Sequence, residues 1–186
     1  MIADHPGNVK AFEAVGAFMA EGSPIVTLLL CGTTGSGKSI AAGYVIANAP
    51  TWILPEGSDA LWIQASVAEE FEDWRVIRQR ATLTRLLVVN ELLPDAGPVG
   101  TRHIRELVKE RHEKGRRTVV TGNVTGSRKR AEQIADANRM QGADRARFIG
   151  ECVEARYGDA VWDRLTSAGG LVVRCEGASL RQRGGR

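Results

Sequence analysis

Gly32-Thr33-Thr34-Gly35-Ser36-Gly37-Lys38-Ser39 is the stretch that decides the fold. It fits the pattern G-x-x-x-x-G-K-[ST], and each position has a physical reason. The glycines let successive backbone N–H groups curl around phosphate oxygens without Cβ clashes. The Lys38 ammonium reaches the β- and γ-phosphates, and the Ser39 hydroxyl is a magnesium ligand. A helix opening at Lys38 adds the positive end of its dipole. Gly32 to Ser39, with Ile40 beside them, form the candidate contact set for a nucleoside triphosphate, ATP or a close relative, and its Mg2+.

The flanks supply the context this motif needs. Ile25 to Cys31 is a continuous apolar run, as expected of a strand buried on both faces. A helix is expected from Lys38 to about Asn48. Upstream, Asn8 is a candidate cap for a helix to about Ala20, with Val9, Phe12, Val15 and Met19 along one side. Downstream, Ala60 to Gln64 reads as a short strand. Ser66 and Glu69 form a capping box that opens a helix through Phe71, Trp74 and Ile77. Arg85 to Asn90 is a second buried strand, and Thr101 is a candidate cap for a helix to about Lys114. Thr118 to Thr121 is a strand ending at Gly122 and Asn123, helical pattern runs between Lys129 and Arg156, and Leu171 to Cys175 is a last strand. Strands alternate with helices, so the class is α/β with a mainly parallel sheet. A single core over 1–181 and a basic flexible tail over 182–186 are expected.

The chain has 186 residues, enough for one core, with 43% hydrophobic and 25% charged residues and a net charge of +3. Such a balance permits a nucleic-acid partner without demanding one. Arg and Lys crowd Arg102 to Arg117, Arg128 to Arg147 and Arg174 to Arg186, which read as solvated helix faces or as basic patches. Cys31, Cys152 and Cys175 have no paired spacing, so no disulfide framework is expected, and Cys31 and Cys175 sit in apolar runs that would bury them. His5, His103 and His112 make no metal pattern with them. No apolar run approaches the ~20 residues that span a bilayer, and the first residues have no signal-peptide pattern, so a cytoplasmic protein without membrane contact is expected.

A triphosphate-binding loop of this kind is usually completed by an acid at the end of a second buried strand. Leu86-Leu87-Val88-Val89 ends in Asn90-Glu91. Asn90 stands where a metal-orienting Asp is expected, and its amide oxygen can orient a metal-bound water but carries no charge. Glu91 is placed to be the general base that polarises the attacking water. Either hydrolysis is slow, or Glu91 takes on more of the metal work.

With these motifs in order, the chain resembles the AAA+ ATPases, and among them the DnaC/IstB-like helicase loaders and transposition ATPases. Phe12 to Lys38 corresponds to a helix leading into the Walker A strand and loop, and Asn90-Glu91 to the Walker B end. Thr121-Gly122-Asn123-Val124-Thr125 is similar to the sensor 1 element, which implies that Asn123 meets the γ-phosphate or the attacking water. Asp163-Arg164-Leu165 is similar to the element whose arginine reaches into a neighbouring subunit's site, a role that would fall to Arg164. Gly177-Ala178-Ser179-Leu180-Arg181 resembles the closing Ser-x-Arg, which implies a sensor 2 role for Arg181. The resemblance further implies a parallel five-strand sheet of order 5-1-4-3-2, here without a helical lid domain or an N-terminal partner-binding domain. It also implies self-assembly in the ATP state and action with DNA in replication initiation or transposition. The partners would be single-stranded DNA and a replicative helicase or a transposase. Arg102, Arg105 and Lys109, and Arg128, Lys129 and Arg130, are the candidate DNA contacts. Two other functions fit the phosphate loop: a small-molecule kinase with an Arg-rich lid, and a nucleotide-binding but inactive regulatory subunit, which Asn90 favours.

Overall fold

A computed structural model describes residues 6–65, 68, 74–92, 97–123 and 125–175. The five strands are β1 (Thr27–Gly32), β2 (Ala60–Gln64), β3 (Leu86–Leu92), β4 (Arg117–Gly122) and β5 (Gly170–Cys175). They form one sheet in the order β2-β3-β4-β1-β5, and every neighbouring pair is parallel. Read from the other edge this is the expected 5-1-4-3-2. The helix α1 (Pro6–Met19) precedes β1, and α2 (Lys38–Asn48), α3 (Trp74–Leu83) and α4 (Pro98–Glu113) connect the first four strands. α5 (Arg128–Ala137), α6 (Gly142–Gly150), α7 (Val153–Tyr157) and α8 (Asp159–Thr166) lie between β4 and β5.

The apolar runs are continuous because helices cover both faces of the sheet. On one face Leu28, Leu30, Leu86, Val88 and Val119 pack with Val15 and Phe18 of α1 and Ala41, Ala42 and Val45 of α2. On the other, Leu29, Leu87, Val89 and Val120 pack with Ile104 and Leu107 of α4 and Val161 and Leu165 of α8. Alternate residues of one strand thus enter different cores.

Three sequence expectations change. α1 begins at Pro6, so Asn8 lies inside the helix rather than capping it. α4 begins at Pro98 behind Gly97, not behind Thr101, because the ring of a proline in the first turn already holds a helical φ and its missing N–H is not needed there. The helical stretch after the fourth strand is three helices, the first of them capped by Ser127, whose hydroxyl accepts from the Arg130 N–H at 3.2 Å. The capping box Ser66–Glu69, Phe71, Arg181 and the tail 182–186 lie outside the described residues. All three cysteines are buried and free. No described helix is long and apolar enough to cross a membrane.

Candidate nucleotide site

β1 delivers the chain to the phosphate loop at the carboxyl edge of the sheet. Gly32 has φ 137°, and a Cβ there would stand 2.0 Å from the Cys175 carbonyl oxygen, so no larger residue fits against β5. Gly35 and Gly37 take φ 81° and 86°, left-handed values that only glycine adopts without strain. Gly37 caps α2 without a side-chain bond, which leaves the first N–H groups of α2 available to an anion.

Lys38 is 4% exposed. Its ammonium donates to the carbonyls of Gly32 (3.1 Å) and Thr33 (2.7 Å) and to the Ser36 hydroxyl (3.3 Å), so it fastens the loop from inside. Burial pushes its proton affinity down, partly opposed by Cys175, Cys31 and Glu91. Ser36 is itself buried, and Ser39 and Ile40 are exposed.

β3 ends in a bulge. Val89 pairs with Val120 and Leu92 with Gly122, so Asn90 and Glu91 together face the single residue Thr121. Glu91 absorbs the extra residue with φ 58°, a left-handed conformation that costs an ordinary residue about 1–2 kcal/mol. Its N–H donates to the Thr121 hydroxyl at 2.9 Å. The bulge brings Glu91 into a cleft of about 130 Å3 lined also by Thr34, Lys38, Ser39, Ile40 and Asn123. β4 lies between β1 and β3, which is why Asn123, just past its end, emerges between Lys38 and Glu91.

Asn90 is 4% exposed and sits on the α2 side of the sheet with Val88. Its amide donates to the Gln64 Oε1 at 3.0 Å and its Oδ1 accepts from the Thr121 hydroxyl at 2.8 Å. Gln64, Asn90, Thr121 and the Glu91 N–H thus form one chain of hydrogen bonds across three strands. The sequence motifs assign no role to Gln64 or Thr121. The usable signal is position, since Gln64 ends β2 and Thr121 stands one residue before the end of β4, two before the candidate Asn123.

Among the described residues no group of three or more His, Cys, Asp or Glu side chains could hold a metal ion by itself. The side chains with oxygen donors that line the cleft are those of Thr34, Ser39, Glu91 and Asn123, of which only Glu91 is a carboxylate, and the buried Asn90 amide oxygen is bonded to Thr121. A hard cation that keeps several waters and shares phosphate oxygens suits so sparse a set, and Mg2+ is such a cation.

Arg164 is elsewhere. It lies on α8, beside Gly170, which pairs with Thr27 at the start of β1. Five steps of strand, roughly 17 Å at ~3.3 Å per residue, separate that end from Gly32. Its guanidinium holds Glu113 at 2.6 Å and keeps that carboxyl below its usual range. Arg102, Arg105 and Lys109 are exposed on α4, with Arg102 paired to Glu106 at 3.0 Å. Arg128, Lys129 and Arg130 are exposed at the start of α5. Arg130 also borders a second cavity of about 380 Å3 next to Gly32 and Asn123.

Two members of the first basic cluster are not on solvated faces. Arg111 is fully buried and donates to the carbonyls of Thr84 (2.9 Å) and Arg117 (2.6 Å) and to the Thr118 hydroxyl (2.9 Å). Arg117 donates to the carbonyls of Phe18 and Ser23, both at 2.9 Å, with its guanidinium 5.2 Å from the centre of the Phe18 ring.

No protein-family model matches the sequence, and no curated protein matches it. Solved structures do. A DnaC helicase loader superposes with a TM-score of 0.59 at 16% identity, over 91% of this chain and 90% of that one. DnaI gives 0.55 at 18% identity, over 95% and 85%. DnaA from Aquifex aeolicus, bound to AMPPCP, gives 0.59 at 13% identity, over 91% of this chain but 47% of that one. At these identities the likeness is one of fold: the chain shares the fold of these DnaC, DnaI and DnaA structures.

Proposed function

We propose that this protein is a magnesium-dependent ATP-binding switch that hydrolyses ATP slowly and acts with DNA in replication initiation, as a helicase loader does, or in transposition. The observation that carries the reading is the convergence of Lys38, Ser39, Glu91 and Asn123 on one cleft at the mouth of a glycine loop. In this reading the loop N–H groups and Lys38 hold the phosphates, and Ser39 orients the cation, which supplies charge neutralisation when bound. Glu91 takes a proton from the attacking water as its oxygen bonds to the γ-phosphorus and the bond to ADP breaks, while Asn123 holds that water or the γ-phosphate. Arg164 lies too far from its own loop to touch the same nucleotide, which supports action in a neighbouring copy within an ATP-dependent homo-oligomer. Arg181 is proposed as a further nucleotide contact.

The direct test is Lys38→Ala. It removes the only lysine at the phosphate loop, so tight binding of labelled ATP is expected to vanish while the circular dichroism spectrum stays native. Unchanged ATP affinity in the variant refutes the nucleotide assignment. Phosphate release measured with and without single-stranded DNA separates the alternatives: stimulation supports the switch, indifference a kinase, and silence an inactive regulatory subunit. The closed Gln64–Asn90–Thr121 chain favours the last of these over the kinase, since it holds Asn90 as a neutral amide.

A further inference from the structure

At the edge of the sheet opposite the phosphate loop, three connections meet. They are the segment after α2, the turn from α3 into β3 and the turn from α4 into β4. Together they line a groove of about 540 Å3. Its cations are Arg85, Lys114, Arg116 and Arg117, its apolar side includes Trp52 and Leu83, and no acidic residue among the described residues lines it. Trp52 is 53% exposed and Leu83 57%. The Trp52 indole is held in place, because its N–H donates to the Met19 carbonyl at 3.1 Å.

The charge at this edge is only partly neutralised by the fold: of the four groove cations Lys114 alone holds a carboxylate among the described residues, that of Glu110 at 2.7 Å. Beneath the groove, buried Arg111 donates to carbonyl and hydroxyl oxygens and to no carboxylate among the described residues. The other nearby acids are engaged away from the groove: Glu113 with Arg164, Asp59 with Arg80. No ion pair among the described residues joins Arg85, Arg111, Arg116 or Arg117. An anionic chain laid in the groove would supply the missing countercharge.

We infer that this groove binds single-stranded nucleic acid, with phosphates on Arg85, Lys114 and Arg116 and a base stacked on Trp52. An acidic peptide would answer the charge but has no flat ring for an anchored indole, whereas every base has one. The inference rests on the DNA-associated reading above and places a DNA contact away from both α4 and α5. Because the groove and the nucleotide cleft are at opposite ends of the strands, an oligonucleotide and ATP can occupy one protomer together.

The test is fluorescence anisotropy of a labelled fifteen-residue oligodeoxythymidylate with the full-length protein, at several salt concentrations and with a non-hydrolysable ATP analogue present. The double variant Arg85→Ala, Lys114→Ala is expected to lower affinity at least about tenfold and to flatten the log–log salt slope by ~1.4, about 0.7 per phosphate contact on a single strand. Trp52→Ala is expected to lower affinity between about fivefold and about a hundredfold, with most of it kept in Trp52→Phe. ATP affinity, measured on the same variants, is expected to stay native and reports that they fold. If the groove variants bind the oligonucleotide normally while Arg128→Ala, Lys129→Ala, Arg130→Ala does not, DNA binding stands and the groove assignment is overturned. If the native protein fails to bind at low salt, both fall. If polyglutamate displaces the oligonucleotide at equal charge concentration, the groove is a site for acidic peptide and the inference is overturned.

Discussion

Asn90→Asp restores a charge where the bulged strand meets the phosphate loop, and its effects can be worked out from the bonds Asn90 makes. The carboxylate keeps the Thr121 hydroxyl bond, 2.8 Å in the native chain, and strengthens it. A hydrogen bond to a charged group contributes about 1.5–3 kcal/mol, against about 1 for a neutral one. It loses the bond to Gln64, and the two oxygens then face each other across the present 3.0 Å unless Gln64 turns its amide over. Gln64 ends an edge strand and is half-buried, so it can turn. Burial weighs more than either bond, since at 4% exposure the new carboxylate gives up most of its hydration. Several kcal/mol is the usual scale for an ion so placed, and the Thr121 and Gln64 bonds offset part of it. A net cost of about 2 kcal/mol without metal is expected. For a chain of this size that is about 4–8 °C in melting temperature. Magnesium and ATP should reverse the order, because the carboxylate then faces two positive charges. The assay is a pair of melts, in chelator and in saturating Mg2+ with ATP, alongside a magnesium titration of phosphate release. The variant should melt lower in chelator, gain more from Mg2+ with ATP, reach half-maximal rate at lower magnesium and turn over faster. If both proteins gain equally and the titrations coincide, Asn90 is not at the metal site. The alignment of Asn90-Glu91 with the Walker B end is then refuted, and the base role of Glu91 with it.

Glu91→Gln and Glu91→Gly should both lose hydrolysis while binding ATP, and the glycine variant should also be more stable by about 1 kcal/mol in urea titration, because it relieves the left-handed backbone at φ 58°; equal stability of the two variants would show that the bulge carries no strain. Arg164→Ala should keep ATP binding and lose cooperative hydrolysis, and mixing it with Lys38→Ala should restore some activity, because each variant lacks a different half of a shared site; a mixture no more active than its parts at every ratio rules the shared site out. Arg111→Met should destabilise the fold by at least about 3 kcal/mol, read as a lower urea midpoint at unchanged slope, because several buried carbonyls lose their donor at once; a midpoint within error of native would mean that water or a neighbouring side chain takes over those carbonyls.

The fold was legible in the sequence because its signals are local. Leu28 to Leu30 and Leu86 to Val89 are fully buried, and a strand covered on both faces must be written as an unbroken apolar run. The glycine loop between β1 and α2 was legible for a similar reason, since glycines at positive φ leave a spacing that can be read directly. The bulge was not legible. It depends on the register of β3 against β4, set by residues thirty positions apart, and nothing in Val-Val-Asn-Glu-Leu marks an extra residue. The breaks between α5, α6 and α7 were not read either: no proline interrupts that stretch, and the signals there were the glycines, Gly142 at φ 56° opening α6 and Gly150 at its end. Arg111 misled most: a guanidinium near a helix end is usually in water, and only the tertiary fold shows it closed over by α3, the turn from α3 into β3 and the start of β4.

Arg111 also explains why cations gather at the edge opposite the glycine loop, and which of them the fold itself needs. In a parallel sheet crossed by helices, every helix that precedes a strand ends at the amino-terminal edge. α1, α3 and α4 therefore bring unpaired carbonyls and the negative ends of their dipoles to one side. Arg111 and Arg117 answer that need directly, each bonded to several carbonyls of the turns, and Arg116 donates to the Leu83 carbonyl as well. Arg85 and Lys114 are different. Both are exposed, and neither side chain bonds a carbonyl of these turns: Lys114 holds the Glu110 carboxylate instead. A helix-capping role thus accounts for three of the cations at this edge, a surface ion pair worth at most about 1 kcal/mol engages Lys114, and Arg85, with the anchored and exposed Trp52, has no such role. Replacing Arg85 and Lys114 should therefore barely move the melting temperature while weakening an oligonucleotide, the reverse of what Arg111→Met does. That pair of measurements separates charge the fold requires from charge left over for a ligand.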